Sequence, residues 1–347
     1  MNNWKHMCVA AATLGGAIGL PATAVAAGDE AVDQPRPSIL AKLAERTTLL
    51  SLAEAGQRLV AVGQRGHILL SDDQGETWRQ VTAPHNAMLN RVRFRSASHG
   101  WAVGCDATIV ATTDGGESWQ LQHFDPEARP LFDVLFLDEQ RGIAVGGYGT
   151  YLTTVDGGSS WDVGEPSIAE VGAHFNTLRQ LADGTLVMVG ERGMMARSSD
   201  EGRSWEMLDS PYVGSLFGLL PYGDRGIMAF GMRGNVYVAE DISACRTIDP
   251  MDFDPFMAET VEDNAKLADM GWRHISTPTT EGLFGGRIHD GTAVLVGVNG
   301  EAVRVNAASG TVERLESGAD ESLNDAILVN GRWLAVGRRG IQNLGDL

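Results

Sequence analysis

The sequence is poor in cysteine and in basic residues. It contains three cysteines, and only Cys105 and Cys245 lie beyond residue 26, which is too few for a disulfide-stabilised scaffold. These two could form one bridge in an oxidising compartment or stay free. Lysine and arginine number 27 against 45 acidic residues, which gives a formal net charge of −18. That balance argues against nucleic acid and anionic membrane surfaces as general partners.

Long hydrophobic runs are also scarce, and the one that stands apart is at the N-terminus. Lys5 precedes an apolar stretch from Met7 to Leu20, and an Ala-Val-Ala motif follows at residues 24–26. This order is typical of a secretory signal peptide, so we predict cleavage after Ala26 and a mature protein in the periplasm. An uncleaved membrane anchor is the alternative. No later stretch approaches the length of a membrane span.

Motifs that identify common enzyme classes are missing. The histidines show no metal-ligand spacing, no segment resembles a nucleophile elbow, and the Gly-Gly pairs form no phosphate-binding loop. The early Arg-Ile-Pro segment of a sialidase is absent, and the nearest string is Arg91-Val-Arg93. We therefore predict no catalytic residues, no cofactor and no metal site.

What the sequence has instead is an internal repeat of about 40 residues. In each copy an apolar strand ends in a glycine turn, and these glycines are Gly63, Gly104, Gly146, Gly190, Gly231, Gly297 and Gly337. The steps between them are 41, 42, 44, 41, 66 and 40 residues. Such a period with several short strands per unit is typical of a β-propeller. Seven copies predict an all-β, seven-bladed propeller with Asp-box repeats over residues 47–347.

Two of the copies are irregular. The 66-residue step contains about 26 extra residues, roughly 242–270, before Trp272, the late tryptophan of the fifth blade. We interpret them as a surface insertion, with a partner-docking or lid segment as the alternative, and the part from Pro255 onward suits a helix. The seventh copy ends after its third strand. The segment 27–46, otherwise a linker, could supply the outer strand near Pro37 and so close the ring.

Four copies carry an Asp-box, a polar turn that ends in a tryptophan. Its Ser or Thr hydroxyl and its Asp carboxylate can bond nearby backbone N–H groups, while the Trp packs between sheets. This chemistry indicates a structural role rather than a catalytic one. The residues concerned are Asp73, Trp78, Asp114, Trp119, Asp156, Trp161, Asp200 and Trp205.

The candidate site comes from position within the repeat. The residue two after each turn glycine is, in order, Arg65, Asp106, Tyr148, Arg192, Arg233, Asn299 and Arg339. In a propeller, the turns between second and third strands all lie on one face, opposite the Asp-boxes. Because guanidinium groups pair bidentately with carboxylates, we predict a partner-binding face that selects an anionic group or acidic peptide. Its residues are Arg65, Tyr148, Arg192, Arg233, Arg338 and Arg339. The alternative is that these arginines are merely soluble turn residues.

The second copy, GWAVGCDATIVATTDGGESW from Gly100 to Trp119, resembles the repeat of the photosystem II stability/assembly factor family, relatives of the BNR/Asp-box propellers. The resemblance extends from Leu49 to about Leu344. It implies a seven-bladed, non-enzymatic propeller that binds assembly intermediates of membrane proteins. It also implies an arginine patch on one face, which could correspond to Arg65, Arg192, Arg233 and Arg339.

These features predict a periplasmic binding or assembly factor that captures a protein subunit of an envelope or membrane complex through an anionic segment. Two other classes stay open. One is a sialidase-like or other glycoside hydrolase with carboxylates at the channel mouth, and the 45 acidic residues could supply a suitable pair by chance. The other is a structural subunit of an exporter or cell-surface assembly.

Overall fold

The computed structural model describes residues 34–254 and 259–346. Residues 1–33, 255–258 and 347 lie outside these ranges, and they include the predicted signal peptide and Pro255. Within them the chain forms 28 strands in seven antiparallel sheets, several 3-10 turns and a single α-helix, α1 (Asn264–Asp269). No helix in the described part of the chain combines the length and the hydrophobicity that crossing a membrane requires.

The strands follow one another in the order that the repeat predicts. Those of blades one to three are β1 (Leu49–Ala55), β2 (Arg58–Gly63), β3 (Ile68–Ser71), β4 (Arg79–Val81), β5 (Leu89–Phe94), β6 (Gly100–Gly104), β7 (Ile109–Thr112), β8 (Gln120–His123), β9 (Leu131–Phe136), β10 (Gly142–Gly146), β11 (Tyr151–Thr154) and β12 (Asp162–Val163). Those of blades four and five are β13 (Phe175–Gln180), β14 (Leu186–Gly190), β15 (Met195–Ser198), β16 (Glu206–Leu208), β17 (Leu216–Tyr222), β18 (Gly226–Gly231), β19 (Val236–Ala239), β20 (Thr247–Ile248) and β21 (Arg273–Ile275). Those of blades six and seven are β22 (Leu283–His289), β23 (Thr292–Gly297), β24 (Ala302–Asn306), β25 (Val312–Arg314), β26 (Leu323–Val329), β27 (Arg332–Gly337) and β28 (Gly340–Gly345).

The first strand of each blade contacts the first strand of the next, and β26 of blade seven contacts β1 of blade one. The seven sheets therefore form a closed ring, which confirms the predicted all-β, seven-bladed propeller. The second strands are apolar along almost their whole length because each is covered on both faces by neighbouring blades. One cluster of buried apolar side chains fills the space between each pair of adjacent blades.

Each Asp-box closes the connection from the third to the fourth strand with the same hydrogen bonds of its first hydroxyl and its carboxylate, and in the first two boxes the indole N–H also donates to the box glycine. In the second blade, Asp114 accepts from the Thr112 hydroxyl at 2.7 Å and from the Ser118 N–H at 3.0 Å. The Gly116 N–H donates to the Thr112 hydroxyl at 2.9 Å, and the Trp119 indole N–H donates to the Gly116 carbonyl at 2.9 Å. Trp119 then packs between blades one and two. The box therefore both forms the turn and positions a side chain of the core.

The same bonds act on the titration of the box carboxylates. Hydrogen bonds from the hydroxyls of Thr77, Ser160 and Ser204 lower the pKa of Asp73, Asp156 and Asp200 to about 2. At Asp114, desolvation favours the protonated form and so raises the pKa, but the hydrogen bonds from Ser118 outweigh this effect and lower the pKa to about 2. All four carboxylates therefore remain ionised even at pH values well below neutral.

The N-terminal segment closes the ring without forming the expected outer strand. The seventh sheet contains only β26, β27 and β28 within the described ranges. Residues before β1 instead bond to blade one, where the Ser38 N–H donates to the Ala83 carbonyl at 2.9 Å and the Ser38 hydroxyl accepts from the Ala83 N–H at 2.8 Å. A 3-10 turn at Ala44–Arg46 follows, and Ala44 is buried between blades seven and one. The segment thus seals this junction by packing.

The insertion in blade five is part of the core rather than a surface appendage. Its strand β20 pairs with β16 and adds a fifth strand to blade four. Ile242, Cys245, Leu267 and Met270 are buried between blades four and five together with Trp272. The helix begins later than predicted, because Asp263 caps its start by accepting from the Lys266 N–H at 2.9 Å.

The two cysteines left open by the sequence do not pair with each other. Cys245 is a free thiol, and burial raises its pKa to about 12. It packs as a small apolar side chain in the cluster between blades four and five.

Side chains of the inner strands tie neighbouring blades together around the ring. The amides of Asn90, Asn176 and Asn324 each donate to the carbonyl of the first strand of the next blade, at Leu131 (2.8 Å), Leu216 (2.9 Å) and Leu49 (2.8 Å) respectively. The last of these bonds joins blade seven to blade one. Because the same position makes the same bond in three blades, these amides act as repeated links at the ring's inner wall.

Two buried aspartates make further links. Asp133 of blade three accepts from Arg93 of blade two at 3.0 and 2.9 Å and from Arg179 of blade four at 2.7 Å. Asp325 of blade seven accepts from Arg287 of blade six at 3.1 Å and from the Leu52 N–H of blade one at 3.1 Å. Burial favours the protonated form of Asp133, but the guanidinium groups of Arg93, Arg179 and Arg91 hold its pKa well below its usual value. Each carboxylate therefore links three consecutive blades.

Replacing Asp133 by alanine would leave the guanidinium groups of Arg93 and Arg179 without their main acceptor inside the ring. We expect the Asp133→Ala variant to lose about 3–5 kcal/mol of unfolding free energy, measured by urea denaturation. The control is Glu117→Ala, which removes an exposed partner of Arg79 and should stay within about 1 kcal/mol of wild type. Equal losses in the two variants would contradict the linking role of Asp133.

Acid should weaken the fold through the Asp-boxes. The pKa of the box carboxylates is lower in the folded chain than the usual 3.8. Their contribution to the free energy of unfolding is therefore complete above that pH and is lost as the pH falls towards about 2. We expect urea-unfolding free energy to decline between about pH 5 and about pH 2, and to decline less steeply in Asp114→Asn. A slope identical in the variant and the wild type would rule out a contribution from this carboxylate.

Candidate functional site

The candidate site is built on the turns that join the second and third strands of each blade. At the left-handed position of six of these turns is a residue other than glycine. The residues and their φ angles are Arg65 (56°), Asp106 (56°), Tyr148 (54°), Arg192 (55°), Arg233 (57°) and Asn299 (55°). The shared conformation places six equivalent side chains at the same end of their sheets. In the seventh blade the turn is tighter, and Gly340 rather than Arg339 has the positive φ.

The glycines of these turns have two different physical roles. Gly63 is extended (φ −177°), and a Cβ there would lie 2.3 Å from the Thr48 carbonyl oxygen. Close backbone approach is therefore what requires the first glycine. Gly66 does have a positive φ (65°), and a Cβ would lie 2.3 Å from the His85 carbonyl oxygen. The second glycine thus lets the turn rest on the segment that leads into the next blade.

The turns form one end of the ring because each contacts the entrance to the following blade. The Gly149 N–H donates to the Ala173 carbonyl at 2.8 Å, and the Gly193 N–H donates to the Gly214 carbonyl at 2.9 Å. Since strands alternate in direction, the Asp-boxes lie at the opposite end. We call the end that carries the seven turns the turn face.

The predicted arginines differ in their surroundings. Arg65 and Arg233 are exposed, and neither forms a hydrogen bond or an ion pair with the described residues. The other three lie near acidic neighbours that the repeat spacing does not reveal: Arg192 near Glu191 (3.7 Å), Arg338 near Glu321 (3.6 Å) and Arg339 near Asp320 (2.7 Å). Arg65 and Arg233 are thus the cations that remain available to a partner.

Tyr148 is the centre of a small aromatic and basic group. Its side chain is 43% exposed, the Arg129 guanidinium lies 4.8 Å from its ring centroid, and the His174 ring meets it edge-on at 4.5 Å. The Tyr148 N–H donates to His174 Nδ1 at 2.9 Å, which requires an unprotonated nitrogen. Burial lowers the pKa of His174, with Glu191 opposing and Arg192 and Arg129 assisting, and so favours that neutral form. Arg129 and His174 lie outside the repeated turn position, so spacing could not identify them.

A groove of about 320 Å³ opens beside Arg192. Its walls include Tyr212 from the segment after β16 and Ile248 and Phe253 from the insertion. Sequence analysis missed this groove because it depends on β20 joining blade four, and no local pattern indicated that pairing. The insertion therefore extends the surface around one predicted arginine with the apolar side chains of Ile248 and Phe253 and with the acidic residues Asp252 and Asp254.

The carboxylates of the inner strands do not suit glycoside hydrolysis. A glycosidase needs one carboxyl group that stays protonated long enough to act as an acid. Asp133 and Asp325 are almost completely buried and bound by arginine, and the pKa of Asp133 is depressed rather than raised by its guanidinium neighbours. The described residues also contain no group of acidic, histidine or cysteine side chains placed to hold a metal ion. The hydrolase alternative therefore has no support at these positions.

Comparison with known proteins adds a family match. A family model described as Photosynthesis system II assembly factor YCF48 matches residues 70–130 and 125–244, just over half of the chain. The Photosystem II assembly protein Ycf48 of Thermosynechococcus vestitus is 34% identical over 165 residues, and the Photosystem II assembly lipoprotein Ycf48 of Picosynechococcus sp. is 37% identical over 163 residues. Both alignments cover 46% of this chain, and they cover 46% and 47% of the two relatives. The chain thus spans about half the length of the curated relatives it matches.

A solved structure described as YCF48 bound to D1 peptide has the same fold. It superposes with a TM-score of 0.63 over 90% of this chain and 97% of that chain, at 17% sequence identity. At this identity the similarity establishes the propeller architecture alone.

The left-handed turn position offers a direct test of how the turn face is built. A side chain with a Cβ is strained there by about 1 kcal/mol relative to glycine. We therefore expect Arg65→Gly to exceed Arg65→Ala in unfolding free energy by about 1 kcal/mol, measured by urea denaturation. Both variants lack the same charge, so the comparison isolates the backbone. Equal stability would show that residue 65 does not hold this conformation in solution.

Proposed function

The chain belongs to the Photosynthesis system II assembly factor YCF48 family, and on that premise we propose that it is a non-enzymatic assembly factor that captures a protein partner from a membrane or envelope complex. The observation that carries the proposal is the pair of exposed, unpartnered guanidinium groups of Arg65 and Arg233 at equivalent turns of the turn face. These groups suit a carboxylate-bearing segment of the partner, since planar guanidinium forks bind carboxylates in two places.

Other members of the turn face would extend the contact. Tyr148 offers an aromatic ring that is 43% exposed, and Arg192 lies at the edge of the groove formed with Tyr212 and Phe253. Arg338 and Arg339 would contact the partner if its acidic groups replaced Glu321 and Asp320 in their ion pairs. The predicted face therefore combines cations with aromatic surface, a composition common in protein-binding sites.

The kind of partner is inferred from charge and from a relative. The chain has a net charge of −18, so an acidic segment would be drawn to the turn arginines only at short range, where salt does not screen them. The YCF48 structure described as bound to a D1 peptide supports peptide capture as the mode of binding. The partner of this chain would accordingly present an extended acidic segment rather than nucleic acid.

The proposed location is the periplasm, with the protein exported across the inner membrane. The signal-like sequence at residues 1–26 supports export, and one curated relative is described as a lipoprotein. An assembly factor on this side of the membrane could meet segments of membrane subunits as they emerge. No nucleophile, cofactor or metal is required for this role.

A labelled acidic peptide tests the binding mode. We expect a fluorescein-labelled peptide of about ten residues, rich in glutamate, to bind the wild-type protein and to bind the Arg65→Gln/Arg233→Gln variant at least about tenfold more weakly. The reason is the loss of two charge-assisted hydrogen-bonding groups. Fluorescence anisotropy would measure the dissociation constants at about 0.15 M salt.

Matched controls separate the turn face from general charge effects. Arg203→Gln removes an arginine whose side chain is 75% exposed in an Asp-box at the opposite end of the ring, and it should leave binding unchanged. A peptide with glutamine in place of glutamate should not bind. Equal weakening by Arg203→Gln, or full binding by the double variant, would refute capture through the turn face.

A further inference from the structure

Six charged side chains meet where the inner strands converge around the channel. They come from five blades, and we call them the axial cluster: Arg91, Arg93, Asp133, Arg179, Arg287 and Asp325. Four guanidinium groups face two carboxylates, so the cluster carries two positive charges in excess. An uncompensated charge inside a protein is unfavourable because water no longer solvates it fully.

Both carboxylates are already committed to other donors. Asp133 accepts from Arg93, from Arg179 and from the N–H groups of Val134 (2.9 Å) and Leu178 (3.1 Å). Asp325 accepts from Arg287 at 3.1 Å and also from backbone N–H groups on blades seven and one. These bonds use the acceptor positions of the two aspartates, so the excess positive charge has no further acidic group to satisfy it.

Arg91 is the member of the axial cluster whose positive charge is least compensated. Its Nε lies 3.8 Å from Asp133 and its Nη1 lies 3.8 Å from Asp325, both beyond hydrogen-bonding distance. Because blades three and seven are not neighbours, a side chain this close to both must lie across the central channel. The side chain is 13% exposed, its Nε is buried without an acceptor, and no described residue accepts a hydrogen bond from its guanidinium group.

The surroundings of Arg91 leave its positive charge incompletely compensated. Desolvation lowers its pKa, and although Asp133 and Asp325 oppose this effect, the neighbouring charges of Arg93 and Arg287 add to it. Arg179 is destabilised in the same way by burial and by Arg93. An oxyanion near Arg91 would relieve both the missing hydrogen bonds and the repulsion among the guanidinium groups.

The cluster is also accessible. The side chains of Arg93 and Arg287 are 25% and 33% exposed, so a small ion can reach the guanidinium groups along the channel. Guanidinium donors in a planar fork match the oxygens of tetrahedral oxyanions, and the attraction is stronger in the channel than in water because the local dielectric constant is lower. The acidic outer surface is screened over about 8 Å at physiological salt.

We propose that the axial cluster binds one doubly charged tetrahedral oxyanion, hydrogen phosphate or sulfate, with Arg91 as its principal donor and with Arg93, Arg179 and Arg287 supplying the remaining positive field. The ion neutralises the two excess charges and bridges blades that otherwise repel one another at the channel. Its binding stabilises the folded ring because the unfolded chain has no such arrangement of arginines. The site uses none of the turn residues that are proposed to bind a protein partner.

Thermal unfolding with added phosphate or sulfate tests this site. The measurement is made at neutral pH, with sodium chloride keeping the ionic strength constant. Replacing part of the chloride by phosphate, at about ten times the dissociation constant of the site, should raise the wild-type Tm by about 3 °C. Sulfate should act in the same way. Arg91→Met should abolish this rise and should leave the Tm in chloride unchanged or higher, because the unpartnered guanidinium is gone. Arg79→Met, which removes an arginine that is 46% exposed on the outer strand of blade one, should retain the full rise.

The outcomes separate a specific site from a general salt effect. Phosphate and sulfate stabilise many proteins by exclusion from their surfaces, and such an effect would raise the Tm of Arg91→Met as much as that of wild type. That result, or no rise in wild type, would overturn the proposal. If Arg91→Met does not fold, titration calorimetry of wild type with phosphate decides: a stoichiometry near one supports the site, and no saturable heat at millimolar phosphate refutes it. Arg287→Gln, which halves the excess charge, should weaken that affinity about tenfold.

Discussion

The structure depends on closing a ring of seven separate sheets, and the contacts that do so most directly are made by two buried carboxylates. Asp133 joins blades two, three and four, while Asp325 joins blades six, seven and one. Blade five is connected through the inner strand of blade four, where Thr177 donates to the Phe217 carbonyl at 2.9 Å. Apolar packing between blades supplies the bulk of the buried surface. The charged links instead fix the register in which the inner strands meet, since a carboxylate held from three sides tolerates little displacement.

A fixed ring separates the two ends of the molecule physically. At one end the Asp-boxes are held by hydrogen bonds within each blade, and their tryptophans belong to the core. At the other end, glycines set the backbone of most turns, Ala107 takes the place of the second glycine in blade two, and in the first six blades a left-handed residue precedes that position. The backbone of this turn is unchanged whether arginine, aspartate, tyrosine or asparagine occupies the position. The turn face can therefore change its chemistry without changing the fold, which is the property expected of a binding surface on a repeated scaffold.

Much of the architecture was predictable because it is periodic. The glycine spacing gave seven blades, and the distance from Trp272 to Gly297 located the outer strand β21 beyond the insertion. The failures concern contacts that are not periodic. The N-terminal segment bonds to Ala83 instead of β28, and β20 leaves blade five to pair with blade four. Arg91 and Arg93 were visible only as part of a string that does not match a sialidase, because their partners Asp133 and Asp325 lie in other blades.

The distribution of positive charge is what connects fold and function in this acidic protein. Most arginines are neutralised where they stand: Arg192, Arg338 and Arg339 have acidic neighbours on the turn face, and Arg93 and Arg179 have Asp133 in the channel. The repeat spacing in the sequence cannot tell which arginines have acidic partners, whereas the structure distinguishes paired cations from unpaired ones. Arg65, Arg233 and Arg91 remain without acceptors among the described residues, the first two on the surface and the third in the channel. In a chain with a net charge of −18, abundant acidic side chains could have neutralised these three positions. Arg65 and Arg233 have no ion pair with the described residues, and Arg91 lies 3.8 Å from two carboxylates without a hydrogen bond to either. These are therefore the positions where an external anion would gain most from binding.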